Sequence, residues 1–231
     1  MERSCCAVIV AAGGSTRMGC PKQTLVLQDA PVIAWTLNAF EEARSVSSMV
    51  LVIREEDRAA MENVVARYGI SKPVFFAAGG KERQLSVYHG LLAVPSGTEY
   101  VAVHDGARLL VTPEEIDAVI AAAGPEMGTA LAVRVKDTIK EVNPEGIVVS
   151  TPERETLRAV QTPQVFPFAR FFKEMERAVA EERYYTDDCQ LWEHAGLPVR
   201  LCEGSYENLK LTTPEDRLMA EAILRKRGKR L

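Results

Sequence analysis

Short apolar runs alternate with amphipathic stretches along most of this chain, and few folds tolerate that rhythm. Residues 8–12, 49–53, 74–77, 100–103 and 130–133 read as buried strands. Between them, helices are expected over 31–43, 56–68, 82–92 and 113–123, with Pro31 in a first turn, Gly69 as a stop signal and Thr112 as a cap. Such an order implies an α/β fold, a doubly wound, largely parallel sheet with helices on both faces. Further helices are expected over 167–182, 187–194 and 214–227, with a strand over 199–202 and Thr212 or Thr213 as a helix start before Pro214.

The rhythm breaks after Val135. Residues 137–142 and 147–150 are two extended runs joined by the turn Asn143-Pro144-Glu145-Gly146. A lone hairpin is marginal in water. The reading is therefore one domain over 1–231, with a protruding β-arm over 137–154 that packs against something else, a second subunit being the simplest candidate.

Composition excludes several classes. With 28 basic and 32 acidic residues the formal charge is −4, which argues against a general nucleic-acid binder. The dense basic run Arg225-Lys226-Arg227-Gly228-Lys229-Arg230 reads as a solvated helix end. No apolar run reaches the roughly 18 residues of a membrane span. The first apolar run is as long as a signal-peptide core, but it ends in a Gly-rich turn and reads as a buried strand, so a cytoplasmic location is expected. Five cysteines without a C-x-x-C, and three histidines without H-E-x-x-H, suggest neither a disulfide framework nor a zinc site.

Chemistry concentrates where strands end. The first strand runs into Ala11-Ala12-Gly13-Gly14-Ser15-Thr16-Arg17-Met18-Gly19-Cys20-Pro21-Lys22. It is not a Walker loop, because Cys20 follows Gly19, and not a dinucleotide fingerprint, because Ser15 takes the place of its second Gly. It does offer glycines that let backbone approach phosphate, and two cations, Arg17 and Lys22. Four further clusters follow other elements: Gly79-Gly80-Lys81-Glu82-Arg83 with Ser86, His104-Asp105-Gly106-Ala107-Arg108, Thr186-Asp187-Asp188, and Asn208-Leu209-Lys210. One crevice beyond the strand ends would collect them.

These motifs, with Pro21-Lys22-Gln23, Asp137-Thr138-Ile139-Lys140, Gln161-Thr162-Pro163-Gln164 and Thr213-Pro214-Glu215-Asp216, resemble the 2-C-methyl-D-erythritol 4-phosphate cytidylyltransferases over nearly the whole chain. The resemblance implies a nucleotidyltransferase fold, a homodimer that exchanges arms, and divalent-cation-dependent (Mg²⁺) transfer of CMP from CTP to the sugar-alcohol phosphate. Arg17, Lys22, Arg154 and Lys210 are then the catalytic candidates. Ala11, Ala12, Gly13, Gly80, Arg83, Ser86 and Asp105 are candidates for CTP, and Asp105, Arg108, Thr138, Arg154, Thr186 and Lys210 for the acceptor. Asp105 is the carboxylate suited to orient either the metal ion or the acceptor hydroxyls; otherwise the ion is held by the CTP phosphates. Arg154 and Thr138 would act in trans if the arm crosses to a partner. Small-molecule partners are expected, with no nucleic acid and no membrane. Three departures stand out: Ser15, the short stretch between Met18 and Pro21, and Leu109, expected to shape the wall beside the acceptor. A ribitol 5-phosphate cytidylyltransferase is the rival enzyme. A non-catalytic nucleotide-binding regulator and a dinucleotide oxidoreductase are the rivals of other classes.

Overall fold

A computed structural model describes residues 4–13 and 24–231. Its centre is a seven-stranded sheet. In chain order the strands are β1 (Cys5–Val10), β4 (Val46–Ile53), β5 (Val74–Ala78), β6 (Tyr100–Asp105), β7 (Gly128–Arg134), β10 (Arg158–Pro167) and β11 (Val199–Glu203); β2 (Val26–Leu27) pairs with β3 (Ala30–Pro31), and β8 (Glu141–Val142) with β9 (Val148–Ser150), outside it. Across the sheet the order is β11-β7-β10-β6-β1-β4-β5. Every neighbouring pair is parallel except the two made by β10, which runs antiparallel to both β6 and β7.

Two-residue periodicity gives the sheet two apolar faces. Ile9, Met49, Leu51 and Leu131 point to one side, where α1 (Val32–Glu42), α2 (Arg58–Arg67) and α4 (Pro113–Ala122) contribute Leu37, Phe40, Met61, Ile116 and Ile120. Val8, Val50, Val52, Val101 and Val103 point to the other, against α3 (Arg83–Leu92), α5 (Phe168–Ala180) and α6 (Asp188–His194), with Leu91, Phe171, Met175 and Trp192. The doubly wound reading is therefore correct. No helix among the described residues is long and apolar enough to cross a membrane.

α7 (Pro214–Arg227) closes a third, smaller cluster, in which Ala220 and Leu224 meet Leu27, Trp35, Leu109, Leu110 and Leu211. Leu109 is buried here. It packs within this cluster. α7 starts with a capping box: Thr213 accepts from the Asp216 N–H, and Asp216 accepts from the N–H of Thr213. Thr213→Ala should lower unfolding free energy by about 1 kcal/mol, read in a urea melt, whereas Thr213→Ser should be close to neutral. Equal losses in both would show that the hydroxyl cap contributes nothing.

Two expectations need correction. β10 was not anticipated, because Pro163 and Pro167 lie inside it and Pro cannot donate to a ladder. The strand absorbs Pro163 by breaking register: its pairing with β7 jumps from Val160 to Gln164. The arm hairpin does form, but its ladder is shorter than 137–142 with 147–150. The Asn143 side chain accepts from the Ile147 N–H, and Gly146 takes a φ of +79° to close the turn. Ile139, Val142, Ile147, Val148 and Val149 are all exposed.

Candidate active site

The C-terminal ends of the parallel strands β1, β5 and β6 lie at the same end of the sheet. At the end of β1, Ala11 donates its N–H to Val52 and Ala12 packs so tightly on Gly79 that a Cβ there would lie 2.1 Å from the Ala12 Cβ. Only glycine lets the exits of β1 and β5 meet. Gly80 donates its N–H to the Ser86 hydroxyl (3.0 Å), which donates to the Glu82 carbonyl (3.1 Å). Ala11, Ala12, Gly80 and Ser86 are thus neighbours, with the exposed Gly13 following directly. Arg17 and Lys22 lie outside the described residues.

Beside this loop pair, the last residue of β6 gathers cations. The Asp105 carboxylate accepts from Arg83 Nε at 3.0 Å and pairs with Lys210 Nζ at 2.7 Å, while Arg108 Nε stands 3.9 Å away. Arg83, in the first turn of α3, also reaches Asp188 at 2.8 Å, in an ion pair not aligned for a hydrogen bond. Among the described residues, three cations thus face two carboxylates. Burial opposes ionisation of Asp105, but Arg83 and Lys210 overcome it and hold the carboxyl well below its usual range. Burial likewise opposes the Arg83 charge, yet Asp188 and Asp105 outweigh it and raise its pKa. At Asp188, fully enclosed, burial wins and the pKa goes up despite Arg83. Burial lowers that of Arg108.

Sequence reasoning quoted His104, Thr162, Gln164, Asp188 and Asn208 inside motifs but gave them no role. They form the polar frame behind the charges. The Asp105 N–H donates to Thr162 Oγ1 (3.1 Å), which also meets His104 Nδ1 (3.1 Å); His104 Nε2 faces the Arg108 carbonyl (3.2 Å). A carbonyl only accepts, so Nε2 carries the proton. Burial depresses the imidazole to about 3, so the ring is neutral, Nδ1 accepts, and Thr162 donates to it. Arg108 in turn donates to the Asn208 carbonyl (2.8 Å), and Asn208 Nδ2 to the Thr162 carbonyl (3.1 Å). The ring of bonds closes on itself and ties β6, β10 and the segment carrying Lys210 together. On the far side Gln164 donates to Asp187 (2.9 Å), which caps α6 through the Gln190 N–H. Thr186 stands just before that cap, its N–H on the Gln190 side chain. A signal was available for His104, a polar side chain near the end of an otherwise apolar strand.

Arg154 and Thr138 are brought together, but with each other. Arg154 donates to the Thr138 hydroxyl (3.2 Å) and the Lys136 carbonyl (3.2 Å), both at the base of the arm and both exposed. Neither bond reaches Asp105.

This arrangement can bind and orient polyanions. Among the described residues none is poised as a base, since His104 is buried, neutral and engaged at both nitrogens. As to a metal ion, the described residues contain no group of three or more His, Cys, Asp or Glu. Asp105 is a hard oxygen donor of the kind Mg²⁺ takes, but cations already engage both its oxygens, so it fits as one ligand among others rather than as a protein cage.

Comparison with known proteins points one way. The family model described as 2-C-methyl-D-erythritol 4-phosphate cytidylyltransferase (IspD) matches residues 5–226. The chain is 46% identical over 225 residues to the protein of that name from Desulforamulus reducens, covering 96% of each chain. It is 46% identical over 220 residues to the one from Bacillus cereus, covering 94% of this chain and 96% of that one. Among solved structures, the 4-diphosphocytidyl-2C-methyl-D-erythritol synthase of Anaerococcus prevotii superposes with a TM-score of 0.88 at 29% identity, over 97% of this chain and 100% of that one. The 2-C-methyl-D-erythritol 4-phosphate cytidylyltransferase of Thermus thermophilus gives 0.75 at 31%, again over 97% and 100%.

Proposed function

Because the chain belongs to the 2-C-methyl-D-erythritol 4-phosphate cytidylyltransferase family, we propose a division of labour in its site for the reaction of that family. The enzyme is a nucleotidyltransferase of isoprenoid precursor synthesis that transfers CMP from CTP to 2-C-methyl-D-erythritol 4-phosphate. The observation that carries the assignment of roles is the cluster of Arg83, Arg108 and Lys210 around Asp105, beside the glycine contact that joins β1 to β5.

The acceptor is a phosphate monoester with a second pKa of about 6, so it arrives largely as the dianion. One of its oxygens attacks the α-phosphorus of CTP, the bond to the bridging oxygen breaks, and that electron pair leaves with pyrophosphate. No proton need be removed, which agrees with the lack of a free base among the described residues of the site. The task is to bring an anion to a polyanion, by positioning and by fixed positive charge. Ala11, Ala12, Gly13, Gly80 and Ser86 take the base and ribose side of CTP. Arg17 and Lys22 take the triphosphate and the charge that develops on it. Arg83 stands between the two substrates, held by both carboxylates. Asp105, Arg108, Thr186 and Lys210 receive the acceptor, joined by Thr138 and Arg154 from the arm of a second subunit. A divalent ion lowers the charge of the triphosphate when bound, and Asp105 is the described residue that would hold it. The working unit is a homodimer of one-domain chains in the cytoplasm.

The direct test measures pyrophosphate release with CTP and Mg²⁺. Release is expected only when 2-C-methyl-D-erythritol 4-phosphate is added. Ribitol 5-phosphate should support it at less than about one-hundredth of that kcat/KM, because buried polar groups left unpaired by the wrong acceptor are costly. Equal turnover with the two acceptors would refute the substrate assignment.

A further inference from the structure

The basic end of α7, read from the sequence as a solvated helix terminus, is only partly so at Arg227, whose side chain is 24% exposed. Its guanidinium spends its donors on two loops. Nε and one terminal nitrogen donate to the Glu207 carboxylate (3.1 and 2.9 Å), and the other terminal nitrogen donates to the Leu110 carbonyl (2.9 Å). Lys226 grips the second Glu207 oxygen at 2.9 Å. Leu110 lies two residues after Arg108, and Glu207 three before Lys210. Arg227 therefore clasps the two loops that carry the cations proposed to face the acceptor. The loops also meet directly, the Leu211 N–H donating to the Ala107 carbonyl at 2.9 Å.

α7 does not need this clasp in order to dock. Ala220 and Leu224 are buried in the small apolar cluster, the capping box starts the helix, and Gly228, at a φ of +60°, ends it. The planar fork of an arginine is required for three directed bonds to two acceptors, and an ammonium cannot reproduce it. We infer that Arg227, through Glu207 and the Leu110 carbonyl, is a positioning residue that fixes the spacing of Arg108 and Lys210 and so tunes capture of the acceptor phosphate. The inference rests on the acceptor role proposed for those two cations.

The test is a steady-state comparison of Arg227→Lys, Arg227→Ala and Glu207→Gln. The two arginine variants should raise KM for the acceptor about tenfold, a loss in line with displaced charge-assisted bonds, while KM for CTP stays within about twofold. Glu207→Gln should move the same parameter by less. Arg227→Ala combined with Glu207→Gln should be no worse than the worse single change, since both break one unit. Equal shifts in both KM values, or an unshifted acceptor KM, would overturn the inference. A second readout is independent of turnover and separates this idea from the functional reading. Amide exchange in Arg227→Lys should quicken about tenfold in 106–111 and 205–211 while α7 stays protected. Unchanged exchange in those loops, or loss of protection along α7 as well, would count against the clasp even if the wild-type chain proved fully active. If Arg227→Ala does not fold, Arg227→Lys and Glu207→Gln carry the decision.

Discussion

Lys210→Ala is expected to lower kcat/KM for the acceptor by about 10²–10³, the cost of one missing electrostatic donor where charge develops. The reason is its geometry. Lys210 stands 2.7 Å from a carboxylate buried at the crevice floor, yet its own side chain is 42% exposed. It is therefore anchored at one end and open to an incoming phosphate at the other. Arg83 keeps its bond to Asp105 in the variant, so the carboxylate does not become an orphan. Unfolding free energy should fall by no more than about 1 kcal/mol, as for a half-exposed pair with a remaining partner. Lys210→Arg should recover part of the loss, because charge returns without the compact ammonium. The measurement is a pyrophosphate-release assay at saturating CTP, beside a thermal melt. A variant within about fivefold of wild type in kcat/KM, or one whose loss falls equally on CTP, would remove Lys210 from the acceptor side.

That prediction was within reach of the sequence, but its partners were not. Asp105, Arg108 and Lys210 could be singled out because each follows a strand or precedes a helix at a recognisable motif. That Lys210 pairs with Asp105, and Arg83 with both Asp105 and Asp188, depends on which strand ends are adjacent, and β6 lies beside β1 only through long crossovers. Asp188 shows the limit well. Asp187-Asp188 stands at an expected helix start. In the fold Asp187 takes the cap through the Gln190 N–H, and Asp188, one position on, turns inward to Arg83. The same limit hid β10. Gln161, Thr162, Pro163 and Gln164 break the apolar run that announces a strand, and three of the four side chains are polar because they build the frame behind the charges. The inner parallel strands β1, β4 and β6, by contrast, were legible, since each is buried on both faces and so leaves a nearly uninterrupted apolar signal.

The largest effect expected of this enzyme is all-or-none, and it concerns the arm. Ile139, Val142, Ile147, Val148 and Val149 present apolar surface to solvent in the single chain, and a hairpin with so short a ladder has no core of its own. At its base Arg154 and Thr138 are paired with each other, and neither of Arg154's bonds goes to Asp105. A guanidinium so placed suits a phosphate dianion, and a partner's crevice is the proposed place for it. Two variants decide the matter. Lys22→Ala disables the nucleotide loop and should lower turnover about 10²–10³-fold, as for a lost transition-state donor; Arg154→Ala disables the arm. If Arg154 acts in trans, a mixed dimer has one site with both lesions and one with neither. A one-to-one mixture of these two inactive chains should then regain roughly a quarter of wild-type activity, the statistical share of intact sites in a two-fold assembly. If Arg154 acts in cis, every site in the mixture keeps one lesion and nothing returns. An inactive mixture in which subunit exchange has been verified by mass spectrometry would end the composite-site proposal, and would leave the exposed face of the arm to be explained by packing on its own subunit.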